Sequence, residues 1–93
     1  MKIVLNNKAD LSNKYARYVK WKTYKLQEKF SSLHYANIYF KKANNQSREY
    51  ILTVELGVTG PDIVIRKKSD NVKKLINNYY KIAHKELAKL SNK

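Results

Sequence analysis

The sequence contains no cysteine. That excludes a disulfide scaffold, a zinc finger and a thiol nucleophile. With two glycines and one proline, it has no glycine-rich phosphate loop. Acidic side chains number 7 against 20 Lys and Arg. Glu49 and Glu55, six residues apart on one strand face, stand about 20 Å from each other by strand rise. That is too far for a paired acid–base mechanism. The two histidines, His34 and His84, are too few to hold a metal without cysteine. Each reads as a solvated side chain, His34 in a loop and His84 on the polar flank of a helix. No apolar run reaches the roughly 18–20 residues of a membrane span. The opening Ile3-Val4-Leu5 stops at Asn6-Asn7-Lys8, short of a signal-peptide core. The expectation is a cytoplasmic protein that is not an enzyme and has no metal, cofactor or small-molecule substrate.

What remains is basic and apolar at once. The chain has 93 residues, a formal charge of +13, 43% hydrophobic and 12% aromatic residues. Half that length could not bury a core, so residues 1–93 form one domain. A disordered basic tail would be poor in apolar and aromatic residues. The bias towards Lys over Arg, with ten Asn and eight Tyr, is also what an AT-rich genome produces. Placement therefore says more than number. Residues 11–30 hold six basic and one acidic side chain, residues 31–65 three of each, and residues 66–93 nine basic and two acidic. Drift in composition would spread lysines evenly.

The elements follow from periodicity. Lys2 to Leu5 reads as a short strand. Asp10 or Ser12 can cap a helix over residues 11–30, with Leu11, Tyr15, Val19, Leu26 and Phe30 in one arc and Tyr18 and Lys22 at its edge. Tyr35 to Lys42 alternates, placing Ala36, Ile38 and Phe40 on one face and Tyr35, Asn37, Tyr39 and Lys41 on the other. Residues 43–47 form a turn, and the glycosylation-like Asn45-Gln46-Ser47 reads as part of it. Arg48 to Leu56 alternates again, with Tyr50, Leu52, Val54 and Leu56 inward and Glu49, Ile51, Thr53 and Glu55 outward. After a turn at residues 57–61, Asp62 to Lys67 is a fourth strand. Ser69 or Asp70 caps a last helix, whose stripe is Val72, Leu75, Ile76, Tyr79, Ile82, Ala83, Leu87 and Leu90. The order β-α-β-β-β-α predicts an α+β fold, a four-stranded, mostly antiparallel sheet with two helices on one face. The two charge blocks are then assigned to the helices and the strands are neutral.

Such a helix layer suits a phosphate backbone, which is bound through charge and counterion release. Lys74, Lys81 and Lys85 share one face of the last helix. Lys14, Arg17, Lys25 and Lys29 serve the first, with Lys22 at the border of its apolar arc, facing the groove between helices. A merely solvated face is the plainer reading, but three acids in the two blocks are few for it. Trp21 and Tyr24 fall off the apolar arc, and Tyr35 and Tyr39 point outward from the sheet. Edge packing explains them most simply, while stacking on unpaired bases or a partner protein are alternatives. Both helices are basic and amphipathic, but the sheet needs their apolar stripes, so no membrane partner is expected.

The order of elements, the length and the charge layout together resemble the ribosome hibernation promoting factor family, also called ribosome-associated inhibitor A or sigma-factor modulation proteins. The resemblance covers nearly the whole chain. Family members end their first helix on a pattern like K-x-x-K-L-E-x-aromatic. Here Lys22-Thr23-Tyr24-Lys25-Leu26-Gln27-Glu28-Lys29-Phe30 is similar, with the acid displaced by one. Their last helix often reads D-M-Y-x-A-I-D-x-L-x-x-K-L-x-R-Q-L-x-K. Against it Ile76, Leu87 and Lys89 match in type, and Lys85 stands where the family has Arg. The D-M-Y opening is Asn71-Val72-Lys73 here, and the family's mid-helix Lys is Ile82, with Lys81 beside it. The second domain of the family's long forms has no counterpart in residues 1–93.

The resemblance implies a translation inhibitor that binds the small ribosomal subunit under stress, occupying the channel for mRNA and tRNA without chemistry. It implies Lys22, Lys25, Lys85 and Lys89 as rRNA contacts. Lys29, Lys74 and Lys81 are added by the surface pattern alone. Off the ribosome a monomer is expected. Two alternatives stand beside it. One is a general double-stranded-RNA module, ordered α-β-β-β-α, which lacks the first strand. The other is a protein-interaction domain using Tyr35, Tyr39 and Ile51 on the open sheet face.

Overall fold

A computed structural model describes residues 2–44, 46 and 48–91. Asn45 and Ser47, and with them the glycosylation-like triplet, lie outside the described residues. The elements are β1 (Lys2–Asn7), α1 (Asn13–Lys29), β2 (Tyr35–Lys42), β3 (Tyr50–Gly57), β4 (Ile63–Ser69) and α2 (Val72–Ser91). Their order is the expected one. The strands lie in the order β1-β2-β3-β4. β1 pairs parallel with β2, and the other two pairs are antiparallel. A parallel pair cannot be closed by a tight turn, so the chain needs a crossover, which α1 supplies.

The register sorts the side chains. Ala36, Ile38 and Phe40 of β2 stand opposite Leu56, Val54 and Leu52 of β3. Val54 in turn stands opposite Ile65 of β4. All seven are buried in one cluster with Val19, Leu26 and Phe30 from the first helical segment and Val72, Leu75, Ile76, Tyr79, Ala83 and Leu87 from α2. Ile3 and Leu5 pack against it from β1. The two helices therefore cover one face of the sheet, and the other face is open.

The cap position expected for the first helix holds, without the side-chain bond, and that for the last helix does not. α1 begins at Asn13, with Ser12 as its N-cap, but Ser12 makes no side-chain cap bond. The turn is held instead by Asn7. Its Oδ1 accepts from the Leu11 N–H at 3.0 Å and its Nδ2 donates to the Leu11 carbonyl at 2.9 Å. Asp10 lies between them at φ 54°, a left-handed conformation that Asp tolerates better than most residues. For α2 the cap is neither Ser69 nor Asp70. Asn71 Oδ1 accepts from the Lys74 N–H at 3.0 Å, and Ser69 Oγ accepts from the Asn71 N–H at 3.1 Å. β4 includes Ser69, and the chain bends at Asp70, so the first side chain with a helix amide in reach is that of Asn71.

Among the described residues one buried side chain is polar. Thr23 is fully buried on α1. Its hydroxyl donates to the Val19 carbonyl at 2.8 Å and, its proton thus used, accepts from the Tyr79 hydroxyl at 2.8 Å. This pair joins α1 to α2 inside the core. Burial pushes the Tyr79 phenol up to about 12, because the phenolate would lose its hydration.

The open face is less available than expected. Tyr35 stands directly opposite Gly57, and a Cβ at Gly57 would overlap the Tyr35 ring. The ring lies across the glycine, and its hydroxyl donates to Asp62 Oδ2 at 2.6 Å. That hydrogen bond to a carboxylate raises the phenol to about 12. Ile51 points to this face but is only 8% exposed. Of the three side chains expected there for a protein partner, Tyr39 alone is well exposed.

Candidate nucleic-acid interface

The helix layer carries the basic side chains its sequence promised, in a particular arrangement. Lys22 is half-buried, with its ammonium 4.6 Å from the centroid of the Tyr80 ring on α2. It also lies 5.7 Å from the Tyr18 ring and 5.5 Å from the Trp21 ring. The expectation that Lys22 faces the groove between the helices therefore holds. Tyr18 spans the same groove, donating to Asn77 Oδ1 at 2.6 Å. Further along, an open hollow of about 320 Å³ is lined by Lys14, Tyr15, Tyr18 and Lys73. Cations held over aromatic faces keep their charge while shielding apolar ring surface.

Lys25 is half-buried as well, 4.4 Å from the Trp21 ring. Lys29, Lys74, Lys81 and Lys85 are exposed. The intervals of seven and four residues place the last three on one stripe of α2, one turn or two apart. Lys89, four residues beyond Lys85, is its neighbour one turn on, and its ammonium lies 3.6 Å from Glu86 Oε1 in an exposed ion pair. Of the seven lysines, the structure brings Lys22 and Lys25 together around Trp21, places Lys74, Lys81, Lys85 and Lys89 along one side of α2, and leaves Lys29 at the end of α1.

Two sequence expectations are corrected. His84 is not a solvated side chain. It is half-buried on the α1-facing flank, edge-on to Phe30 at 5.1 Å between ring centroids and tilted against Tyr80 at 6.1 Å. An imidazole has enough apolar ring to pack there, although a hydropathy pattern counts it as polar. Nor does the second charge block belong wholly to a helix. Arg66, Lys67 and Lys68 lie on β4. Register places Arg66 and Lys68 beside Thr53 and Ile51 on the open face, and Lys68 reaches Glu49 at 3.8 Å. The basic surface is thus concentrated on the helices, with a smaller contribution from the sheet edge.

Trp21 and Tyr24 are 51% and 48% exposed. Elsewhere Glu55 accepts from Asn37 Nδ2 at 3.0 Å. Among the described residues no three His, Asp or Glu side chains cluster as metal ligands. No helix among them is long and apolar enough to cross a membrane.

No protein-family model matches the chain, and no curated protein matches it. Solved structures do. A ribosomal subunit interface protein from Coxiella burnetii superposes with a TM-score of 0.85 over 100% of both chains, at 19% identity. The N-terminal domain of Protein Y from Thermus thermophilus superposes with a TM-score of 0.61 over 90% of this chain and 93% of that one, at 9% identity. At such identities the likeness establishes a shared fold.

Proposed function

We propose that this protein is a member of the ribosome hibernation promoting factor family. In this reading it is a cytoplasmic, non-enzymatic factor that binds rRNA of the small ribosomal subunit in the mRNA and tRNA channel. It blocks translation under stress by occupying that channel, and it is a monomer when free. The observation that supports this most is the helix layer. Lys22, Lys25, Lys29, Lys74, Lys81 and Lys85 lie on α1 and α2, and among the described residues none of the six has a carboxylate within ion-pair distance. Phosphates are the natural counterions for such an array. The full-length fold likeness to a ribosomal subunit interface protein supports the ribosome as their source. Lys89 is included on the family pattern; its ion pair with Glu86 is exposed on both sides and is readily exchanged for a phosphate.

Sedimentation through sucrose gradients tests the reading. The protein should travel with purified small subunits at low salt and be released as salt rises. A protein that stays at the top of a low-salt gradient rules the reading out. Lys81→Glu with Lys85→Glu should weaken binding at least tenfold and flatten its salt dependence.

A further inference from the structure

The chain contains a single tryptophan, and it stands on the outer surface of α1 with half its area exposed. Folding alone does not account for it, since the core closes without it. Its surroundings are specific. The Tyr18 ring stacks beside it, with centroids 6.2 Å apart and planes 26° from parallel. The Lys25 and Lys22 ammonium groups lie 4.4 and 5.5 Å from its centroid. Tyr24, also exposed, follows three residues on.

An exposed aromatic face flanked by two cations that have no carboxylate partner among the described residues matches the two recognition elements of a nucleotide. An unpaired base offers a π-face whatever its identity, and its phosphate offers the anion. An acidic protein could satisfy the lysines but would leave the indole unused. A duplex could satisfy the lysines too, but its bases are already stacked on one another. We propose that Trp21 is a stacking platform for one unpaired RNA base, with Lys25 and Lys22 holding the adjoining phosphate. The inference deepens the proposed function and rests on that reading in placing RNA against the helix layer. It adds that the contacted RNA is locally single-stranded.

Two measurements test this, and the two proposals fail separately in them. First, Trp21 fluorescence is followed while a short single-stranded RNA is titrated in, with a duplex of equal length as control. The single strand should quench Trp21 and the duplex should not. Second, affinity for purified small subunits is measured against salt for wild type, Trp21→Ala, Trp21→Phe and Lys25→Ala. Trp21→Ala should lose about tenfold in affinity at every salt concentration, with the slope of log K against log salt unchanged. Trp21→Phe should retain most of the affinity. Lys25→Ala should reduce the slope by about 0.7. Circular dichroism should show all variants folded, since the replaced side chains lie outside the core. If wild type binds subunits and Trp21→Ala binds equally well, the platform is overturned while the ribosome reading stands. If wild type does not bind subunits, the ribosome reading is lost and the oligonucleotides decide. Quenching by the single strand alone then supports the platform, and equal or absent quenching overturns it.

Discussion

Thr23 and Tyr79 show how much one polar pair can decide at the scale of the residue. Both are fully buried, and their hydroxyls satisfy each other. Thr23→Val keeps the shape but leaves the Tyr79 hydroxyl without a partner. The expected loss is about 1–3 kcal/mol, read from urea unfolding. Adding Tyr79→Phe removes the orphaned group, so the double variant should be less destabilised than the sum of the two single ones. A pH dependence follows as well. Unfolded tyrosine gives up its proton near 10 and folded Tyr79 near about 12. Its contribution is therefore fully present below pH 10 and is lost as pH rises towards 12. The slope is about 1.4 kcal/mol per pH unit. Tyr79→Phe should remove that share of the alkaline destabilisation, and an unchanged pH profile would refute the assignment. Neither role was legible beforehand. Tyr79 was placed correctly in the apolar stripe, but Thr23 carries no hydropathy signal, and only the approach of α2 gives its hydroxyl a partner.

At the scale of the element, periodicity located all six segments, and their types and order are as expected. The caps were harder. Ser12, Ser69, Asp70 and Asn71 all have capping side chains, and a sequence does not say which of them has an amide in reach. For α2 the start of the helix at Val72 decided it, because Asn71 is the residue immediately before it and its Oδ1 reaches the Lys74 amide. Asn71→Ala should therefore cost about 1 kcal/mol. Ser12→Ala, where no side-chain bond exists, should fall within about 0.5 kcal/mol of wild type. Chemical denaturation of the two variants side by side measures the difference. Equal losses would mean that the Asn71 bond contributes nothing.

At the scale of the whole molecule, charge is distributed between two unequal surfaces. The helix layer holds Lys22, Lys25, Lys29, Lys74, Lys81 and Lys85, and the open sheet face holds Arg66 and Lys68. The two are separated by the thickness of the sheet, so an RNA bound on one does not touch the other. Lys81→Ala with Lys85→Ala should lower the salt slope of RNA binding by about 1.4–1.8, while Arg66→Ala with Lys68→Ala should leave it unchanged. The reverse outcome would move the interface to the sheet.

The sequence by itself determined the fold class, the strand faces, the presence of two basic amphipathic helices and the concentration of charge in their segments. These are local properties, set by periods of 2 and 3.6 residues and by composition. Only the tertiary structure decided what depends on two elements meeting. Lys22 lies over Tyr80 and Tyr18 bonds Asn77 because α1 and α2 pack side by side. Lys89 turns to Glu86, His84 lies against Phe30, and Ile51 is covered on the nominally open face. Periodicity already placed Trp21 and Tyr24 off the apolar arc, and both are exposed. What the tertiary structure added is the company Trp21 keeps, the Tyr18 ring beside it and the Lys22 and Lys25 ammonium groups near its face, because side-chain directions along α1 are fixed only once the helix is laid on the core.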